Sequence, residues 1–428
     1  MYQQITLPNG ARLLTEEVPG ARSAALGFFV GVGSRHERQR ENGAAHFIEH
    51  MLFKGTQRRS TAQLARDMDA IGGQVNAYTT KEHTCFYARS LDKHLDISLD
   101  ILSDMLFHSR FDQGDVETER GVVLEEIGMY EDSPEDLVSE RLAAAVYKGS
   151  PLARPILGTQ ATLSPMTGEW LAQWQREHYR PGALVAALAG SFTQGQVDRL
   201  KDCLAQLEPG PVAQTKPAAY HPAVTARKKA IEQNHLILAF PSLTYLDARR
   251  PQLLLLNALL GGGCSSRLFQ ELREKRGLCY TVYSYVSDHA DAGFLGVYAA
   301  LNREQEGQAL DAMRNLVCEL ADHGPTQEEL DRVREQAKAN LLMGSESIQS
   351  RMSQLGASAL LYGRVRETEE LLAQYDAVTR QQLRDLAQNI FQMDLASLSA
   401  VGRVKTAADY SAWLGRGEEN KQAPLRAH

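Results

Sequence analysis

Two histidines stand four residues apart in His46-Phe-Ile-Glu-His50. On a helix of 3.6 residues per turn that spacing is a rotation of about 40°, so both imidazoles can face one metal ion. Glu49 lies one residue from His50 and three from His46. Its carboxylate projects beside the same point, where it could take a proton from an activated water. A surface helix with two solvated histidines would carry the same letters. Phe47, Ile48, Met51 and Leu52 flank the motif, however, and put the imidazoles at the edge of a buried face. Catalytic zinc usually takes three protein ligands and keeps a fourth position for water. The segment Glu117-Thr-Glu-Arg-Gly-Val-Val-Leu-Glu-Glu-Ile127 offers the missing donor. There Glu119 and Glu126 are two helical turns apart and share a face, whereas Glu125 points about 100° away from Glu126.

These residues need elements to hold them. Alternating runs at 4–15 and 23–32, around Pro19-Gly20, read as strands. A helix carrying the histidines ends near Gly55, and Ser60 with Gln63 forms a capping box for another that stops at Gly72-Gly73. Residues 74–79 and 83–90 make a hairpin around Lys81-Glu82, helices follow near 92–108 and 112–130, and 184–188 is apolar enough for a last strand. Strands and helices mix without regular βαβ alternation, which favours an α+β fold.

The chain also repeats itself. Thr167-Gly-Glu-Trp-Leu…Ala189-Gly190 runs parallel to Thr379-Arg-Gln-Gln-Leu…Val401-Gly402, with threonine and glycine both displaced by 212. The polar helical segment from Asp112 has a counterpart beginning near Thr326, which sets Glu126 on or near Asn340. Proline and small polar residues cluster from Glu208 to Thr225. The expected division is a metal-bearing half at 1–210, a linker at 211–225 and a metal-free half at 226–428.

At 428 residues the chain is long enough for more than one core, with ordinary globular proportions of 43% hydrophobic and 23% charged residues. A formal charge of -7 without a long basic block argues against nucleic acid as a partner. No apolar run of about 18 residues or basic-apolar leader is present, and five cysteines lack any C-x-x-C pairing. A cytoplasmic, non-membrane protein with free thiols is the expectation.

The run Gly43-Ala-Ala-His-Phe-Ile-Glu-His-Met-Leu-Phe-Lys-Gly-Thr56, with Glu126 seventy-six residues beyond His50, resembles the insulinase and pitrilysin family of inverted-motif zinc metallopeptidases, in particular its mitochondrial-processing-peptidase-like branch. The resemblance implies one zinc ion per chain, held by His46, His50 and Glu126. It makes Glu49 the general base and Glu119 a support of the site.

The second half carries Gly261-Gly-Gly-Cys-Ser-Ser-Arg-Leu-Phe-Gln-Glu-Leu-Arg273-Glu-Lys-Arg-Gly-Leu-Cys-Tyr280. Taken alone, the triple glycine could be a phosphate-binding turn, but the Walker ending and the G-x-G-x-x-G spacing are missing. A flexible turn fits better, and Arg273 and Tyr280 would be ordinary surface and core residues. The resemblance gives them work instead: Arg273 holds the substrate backbone and Tyr280 donates to the developing oxyanion. It also makes Asn76, Ala77 and Tyr78 part of an edge strand to which a peptide can add itself. Asp136 and Glu140, ten and fourteen residues beyond Glu126, would receive a basic side chain near the cut, although a solvated helix face reads the same way.

The implied architecture is two homologous α/β-sandwich-like halves, a tandem duplication that forms a clam-shell chamber on dimerisation. The implied activity is a zinc-dependent endopeptidase that cuts short or unfolded peptides by metal-activated water. Because one chain holds both the zinc motif and the Arg273/Tyr280 pair, a homodimer is expected. The rivals are a non-catalytic structural subunit of the same family and an unrelated metal hydrolase acting on a small ester or amide.

Overall fold

The computed structural model describes residues 2–416. Gly10, at φ 95°, turns the chain inside the first alternating run. The single strand expected at 4–15 is therefore two, β1 (Tyr2–Thr6) and β2 (Arg12–Glu17), paired antiparallel. With β3 (Ser23–Val30), β4 (Gln74–Thr79), β5 (Thr84–Leu91) and β6 (Leu184–Gly190) they form a six-stranded sheet of order β1-β2-β6-β3-β5-β4. Five helices follow the chain through the first third: α1 (Ala44–Met51), α2 (Thr61–Ala70), α3 (Leu95–His108), α4 (Gln113–Asp132) and α5 (Pro134–Val146). Half of the expected capping box forms at the start of α2: the Ser60 hydroxyl accepts from Gln63 N, but the Gln63 side chain donates forward to Asp67 instead of returning to the Ser60 backbone.

Side chains along a strand alternate between faces, and β3 shows what that does. Ala24, Leu26, Phe28 and Val30 enter a core with Phe47 and Ile48 of α1 and Leu102 of α3. Ala25 and Phe29 enter a separate core with Met352, Leu355 and Ala359 of the helix Ile348–Tyr362. Close approach of that helix requires glycine at both contacts. A Cβ on Gly27 would meet Met352 Sδ at 2.5 Å, and one on Gly356 would fall inside the Phe29 ring. Arg12 donates to Ala359 O at 2.6 Å, and Arg351 pairs with Glu16 at 2.7 Å.

A second, five-stranded sheet has the order β7-β11-β8-β10-β9, from β7 (Val224–Lys228), β8 (Asn234–Pro241), β9 (Cys279–Asp288), β10 (Gly293–Leu301) and β11 (Ser397–Gly402). This repeats the β2-β6-β3-β5-β4 portion of the first sheet, down to the parallel pairs β2/β6 and β7/β11. The fold is α+β, built from two copies of one unit. On one face of the second sheet α5 packs Val138, Leu142 and Val146 against Ile237, Phe294 and Tyr298, and Ser399 Oγ donates to Val138 O at 2.8 Å. Leucine-rich helices Arg250–Gly261 and Glu306–His323 fill the other core.

The two compact units interleave along the sequence. Residues 1–128, 154–216 and 340–368 form the first, and 129–153, 217–339 and 369 onward form the second. Each sheet thus takes one covering helix from the opposite half of the chain. The stretch 211–223 contains neither helix nor strand.

Candidate metal centre

An isolated eight-residue helix is unstable in water, so α1 needs support from its surroundings. Ala44, Ala45, Phe47, Ile48 and Met51 are buried. Its exposed amides meet Glu37, which is 3% exposed. The Glu37 carboxylate accepts from Gly43 N and Ala45 N, both at 2.9 Å, and from Asn42 Nδ2 at 3.0 Å. A carboxylate at a helix N-terminus satisfies orphan donors and complements the helix dipole. Burial nevertheless pushes this carboxyl up to about 7, against the pull of those three donors. Gly43 enters the helix at φ 98°, where a Cβ would meet Leu157 O at 2.7 Å.

On this base the imidazoles of His46 and His50 lie with ring centroids 4.5 Å apart. Glu126 reaches them from α4: its Oε2 is 3.6 Å from His46 Nε2 and 3.5 Å from His50 Nε2. The three donor atoms all fall within 4.8 Å of one another. Ligand bonds of about 2.0–2.1 Å at tetrahedral angles would set neighbouring donors about 3.3–3.4 Å apart. Both measured edges are close to that, and two imidazoles with one carboxylate are a donor set suited to zinc. Burial, with His50 nearby, holds His46 down at about 3. It is therefore neutral at ordinary pH, as a ligand must be. Glu125, the neighbouring carboxylate, is exposed and takes no part.

The other ring nitrogen of His50 is also accounted for. Nδ1 donates to Glu119 Oε1 at 2.8 Å, which turns Nε2 toward Glu126. Such carboxylate–histidine pairs fix the tautomer and orientation of a ligand. Glu119 is 4% exposed, and its Oε2 forms an ion pair with Lys54 Nζ at 2.5 Å.

Glu49 projects from the same helix and accepts from Thr79 Oγ1 at 2.5 Å. Burial raises its carboxyl above the usual range; the Thr79 hydrogen bond and His50 pull the other way, and Glu126 adds to the rise. Thr79 ends β4, the edge strand of the first sheet. Asn76, Ala77 and Tyr78 lie on that strand, with Asn76 Oδ1 accepting from Ala77 N at 2.9 Å and Tyr78 exposed. One side of β4 pairs with β5, and no strand pairs with its other side among the described residues. His83 hydrogen-bonds to Thr80 Oγ1 at 3.1 Å, a local turn contact.

The remaining candidates belong to the second unit. Arg273 sits on a widened π-helical turn, Phe269–Lys275, a geometry that often marks functional sites. Its guanidinium lies 4.7 Å from the Phe269 ring centre and 4.8 Å from that of Tyr280. Tyr280 is 75% exposed at the start of β9, so a core role for it is excluded. Asp136 is exposed in the first turn of α5, and Glu140 lies one turn on, half-buried. Glu37, Lys54 and Thr79 were not anticipated as part of the site. Only Glu37 left a signal, an acid just ahead of an Asn-Gly helix start.

Two family models match this chain: insulinase (peptidase family M16) over residues 12–160, and the peptidase M16 inactive domain over 165–337. A Bacillus subtilis protein named uncharacterized zinc protease YmxG is 40% identical over 397 residues, spanning 92% of this chain and 97% of that protein. An uncharacterized zinc protease of Streptomyces coelicolor is 41% identical over 415 residues, spanning 94% and 90%. In fold, the chain is similar to a crystal structure from Pseudomonas fluorescens described as a peptidase M16 inactive domain. That likeness has a TM-score of 0.87 at 22% identity and covers 95% of this chain and 99% of the other. The chain belongs to the insulinase (M16) peptidase family. Among the described residues, no helix is long and apolar enough to cross a membrane.

Proposed function

We propose that this chain is a zinc-dependent endopeptidase that hydrolyses short or unfolded peptides. The convergence of His46 Nε2, His50 Nε2 and the Glu126 carboxylate, with Glu49 on the same short helix, carries this reading. The zinc-protease names of the relatives support it.

His46, His50 and Glu126 would hold one zinc. Bound there, the metal supplies Lewis acidity toward the scissile carbonyl and the attacking water. Glu49 takes the proton of that water on its carboxylate and passes it to the departing amine nitrogen. The free edge of β4 offers main-chain hydrogen bonds to an extended peptide, with Asn76, Ala77 and Tyr78 alongside. For Arg273 and Tyr280 we propose contacts to a substrate carbonyl and to the oxygen that gains charge, and for Asp136 and Glu140 a basic substrate side chain. We place the enzyme in the cytoplasm as a homodimer; its cysteines are all unpaired, which suits a reducing compartment.

A quenched-peptide library incubated with zinc-loaded protein, with and without chelator, tests the reading, and mass spectrometry reads the products. Zinc-dependent cuts inside peptides are expected. Uncut peptides beside hydrolysis of small esters would replace the reading with a different hydrolase. Zinc binding without any turnover would leave a structural family member. Light scattering checks the dimer, and a monomer at working concentration would remove it.

A further inference from the structure

We propose that Lys54 is a positioning residue of the metal centre: it holds one oxygen of Glu119 so that the other keeps His50 turned toward the metal. This rests on the metal-site reading above. A terminal carboxylate torsion is broad and roughly two-fold, so a carboxylate gripped at one oxygen only is free to swing. Glu119 is held at both: His50 Nδ1 hydrogen-bonds to Oε1, and the Lys54 ammonium faces Oε2 as an ion pair that lacks hydrogen-bond alignment, so at this buried oxygen the charge of Lys54 does the holding. Side-chain exposure falls from 30% at Lys54 to 6% at Glu119, so the contact faces a carboxylate with almost no access to water. Leaving such an oxygen without a partner carries the full desolvation penalty of the group.

The cation is itself held on a rigid base. Lys54 follows α1 in a turn whose backbone is fixed from two sides. Lys54 N donates to Met51 O at 3.0 Å, and Lys54 O accepts from the Thr61 hydroxyl at 2.8 Å and from Arg110 at 3.3 Å. The next residue, Gly55, stands at φ 101°, and a Cβ there would meet the Arg110 guanidinium at 2.9 Å. Thr56, 1% exposed, then donates to the fully buried Asp104 at 2.7 Å and accepts from the backbone of Arg59 at 2.9 Å. Arg58 and Arg59 both pair with the same Asp104. A site is precise when the residues behind its ligands are locked by packing and hydrogen bonds. Here that backing runs from Asp104 through the 54–56 turn to Lys54, Glu119 and His50.

Zinc affinity, measured by competition with a chromophoric chelator, tests this without any assay of turnover. Lys54→Met should weaken zinc binding about 10-fold, the lower end of the range for outer-shell partners of a metal ligand. Lys54→Arg, which restores a cation of similar reach, should recover most of the loss. In a Glu119→Gln background the further change Lys54→Met should shift affinity less than about 2-fold, because the lysine acts through that carboxylate. Melting temperature without metal controls for general damage, and Lys54→Gln serves as a second variant if Lys54→Met folds poorly. Wild-type affinity in folded Lys54→Met overturns the proposal, as do losses that simply add in the double variant. Absence of zinc binding by the wild-type protein would remove the metal centre itself, and the role of Lys54 with it.

Discussion

Helix α4 and the helix Gln327–Gly344, which begin in the first and second unit respectively, start at matching points of the repeat. Aligning Gln113 with Gln327 sets buried Val116 against buried Leu330 and Glu126 against Asn340. It also sets buried Glu119 against buried Val333. Where the second unit has a valine that asks for nothing, the first has a carboxylate that must be paired with His50 and Lys54. The helices after the second shared strand, β3 in one copy and β8 in the other, differ in the same sense. Arg250–Gly261 buries Leu253, Leu255, Leu256, Leu259 and Leu260, while α1 buries Phe47 and Ile48 and also presents His46, Glu49 and His50. At these two pairs of helices one scaffold has been kept as packing in one copy and, on our proposal, opened for a metal in the other. Buried polar groups are costly unless every partner is supplied. The specialised copy is accordingly the one with Glu37, Glu119 and Thr79 arranged around its site.

The sharpest way to break that contrast is Glu49→Gln, which keeps the shape of the side chain but removes the base. Turnover should fall about 10²–10⁴-fold with zinc content unchanged. Near-normal kcat would assign the base elsewhere. Tyr280→Phe asks whether the second copy is only packing. Its kcat should fall about 10²–10³-fold with little change in KM or zinc, whereas Arg273→Ala should raise KM as well. Wild-type turnover in Tyr280→Phe would leave the second unit without a catalytic part.

Smaller effects concern how each copy is held. Met352 is fully buried on the helix that the later half of the chain lends to the first sheet. Met352→Ala should lower unfolding free energy by about 2–5 kcal/mol in denaturant titrations. A loss under about 0.5 kcal/mol, the size of an ordinary surface substitution, would mean that this helix is not a working part of the first core. Glu37→Gln should cost about 1–3 kcal/mol, since an amide NH2 would face the α1 amides. It should also flatten a pH dependence. The Glu37 carboxyl is raised from 4.5 to about 7 on folding, so the folded state holds a proton that the unfolded state has released. Stability from this group is greatest below about 4.5 and falls as pH rises toward 7. An unchanged stability-versus-pH curve in Glu37→Gln would assign that slope to other groups.

Much of the centre was legible because its spacing is helical. His46 and His50 at four residues, and Glu119 and Glu126 at seven, fall on shared faces whatever the rest of the chain does. The repeat was legible too, since Gly190 and Gly402 end equivalent strands at the displacement read from the sequence. The contacts that tune the site were not. Thr79 meets Glu49 only because β4 lies at the sheet edge beside α1, and Lys54 meets Glu119 across sixty-five residues of chain. Neither pairing leaves a periodic trace. The break at Gly10 was missed because alternation continues on both sides of the turn. The exchange of covering helices was equally hidden. The helix Ile348–Tyr362 and α5 look like ordinary amphipathic segments of their own halves, and only packing shows which sheet each one covers.

On our proposal one copy of the repeat holds a metal and the other does not. Zinc per chain, counted by native mass spectrometry after equilibration with a small excess of zinc, tests it directly. The account predicts one zinc in the wild-type protein and almost none in His50→Ala or Glu126→Gln, with circular dichroism unchanged. Full zinc occupancy in either variant, or a second tightly bound zinc that survives both, would contradict it.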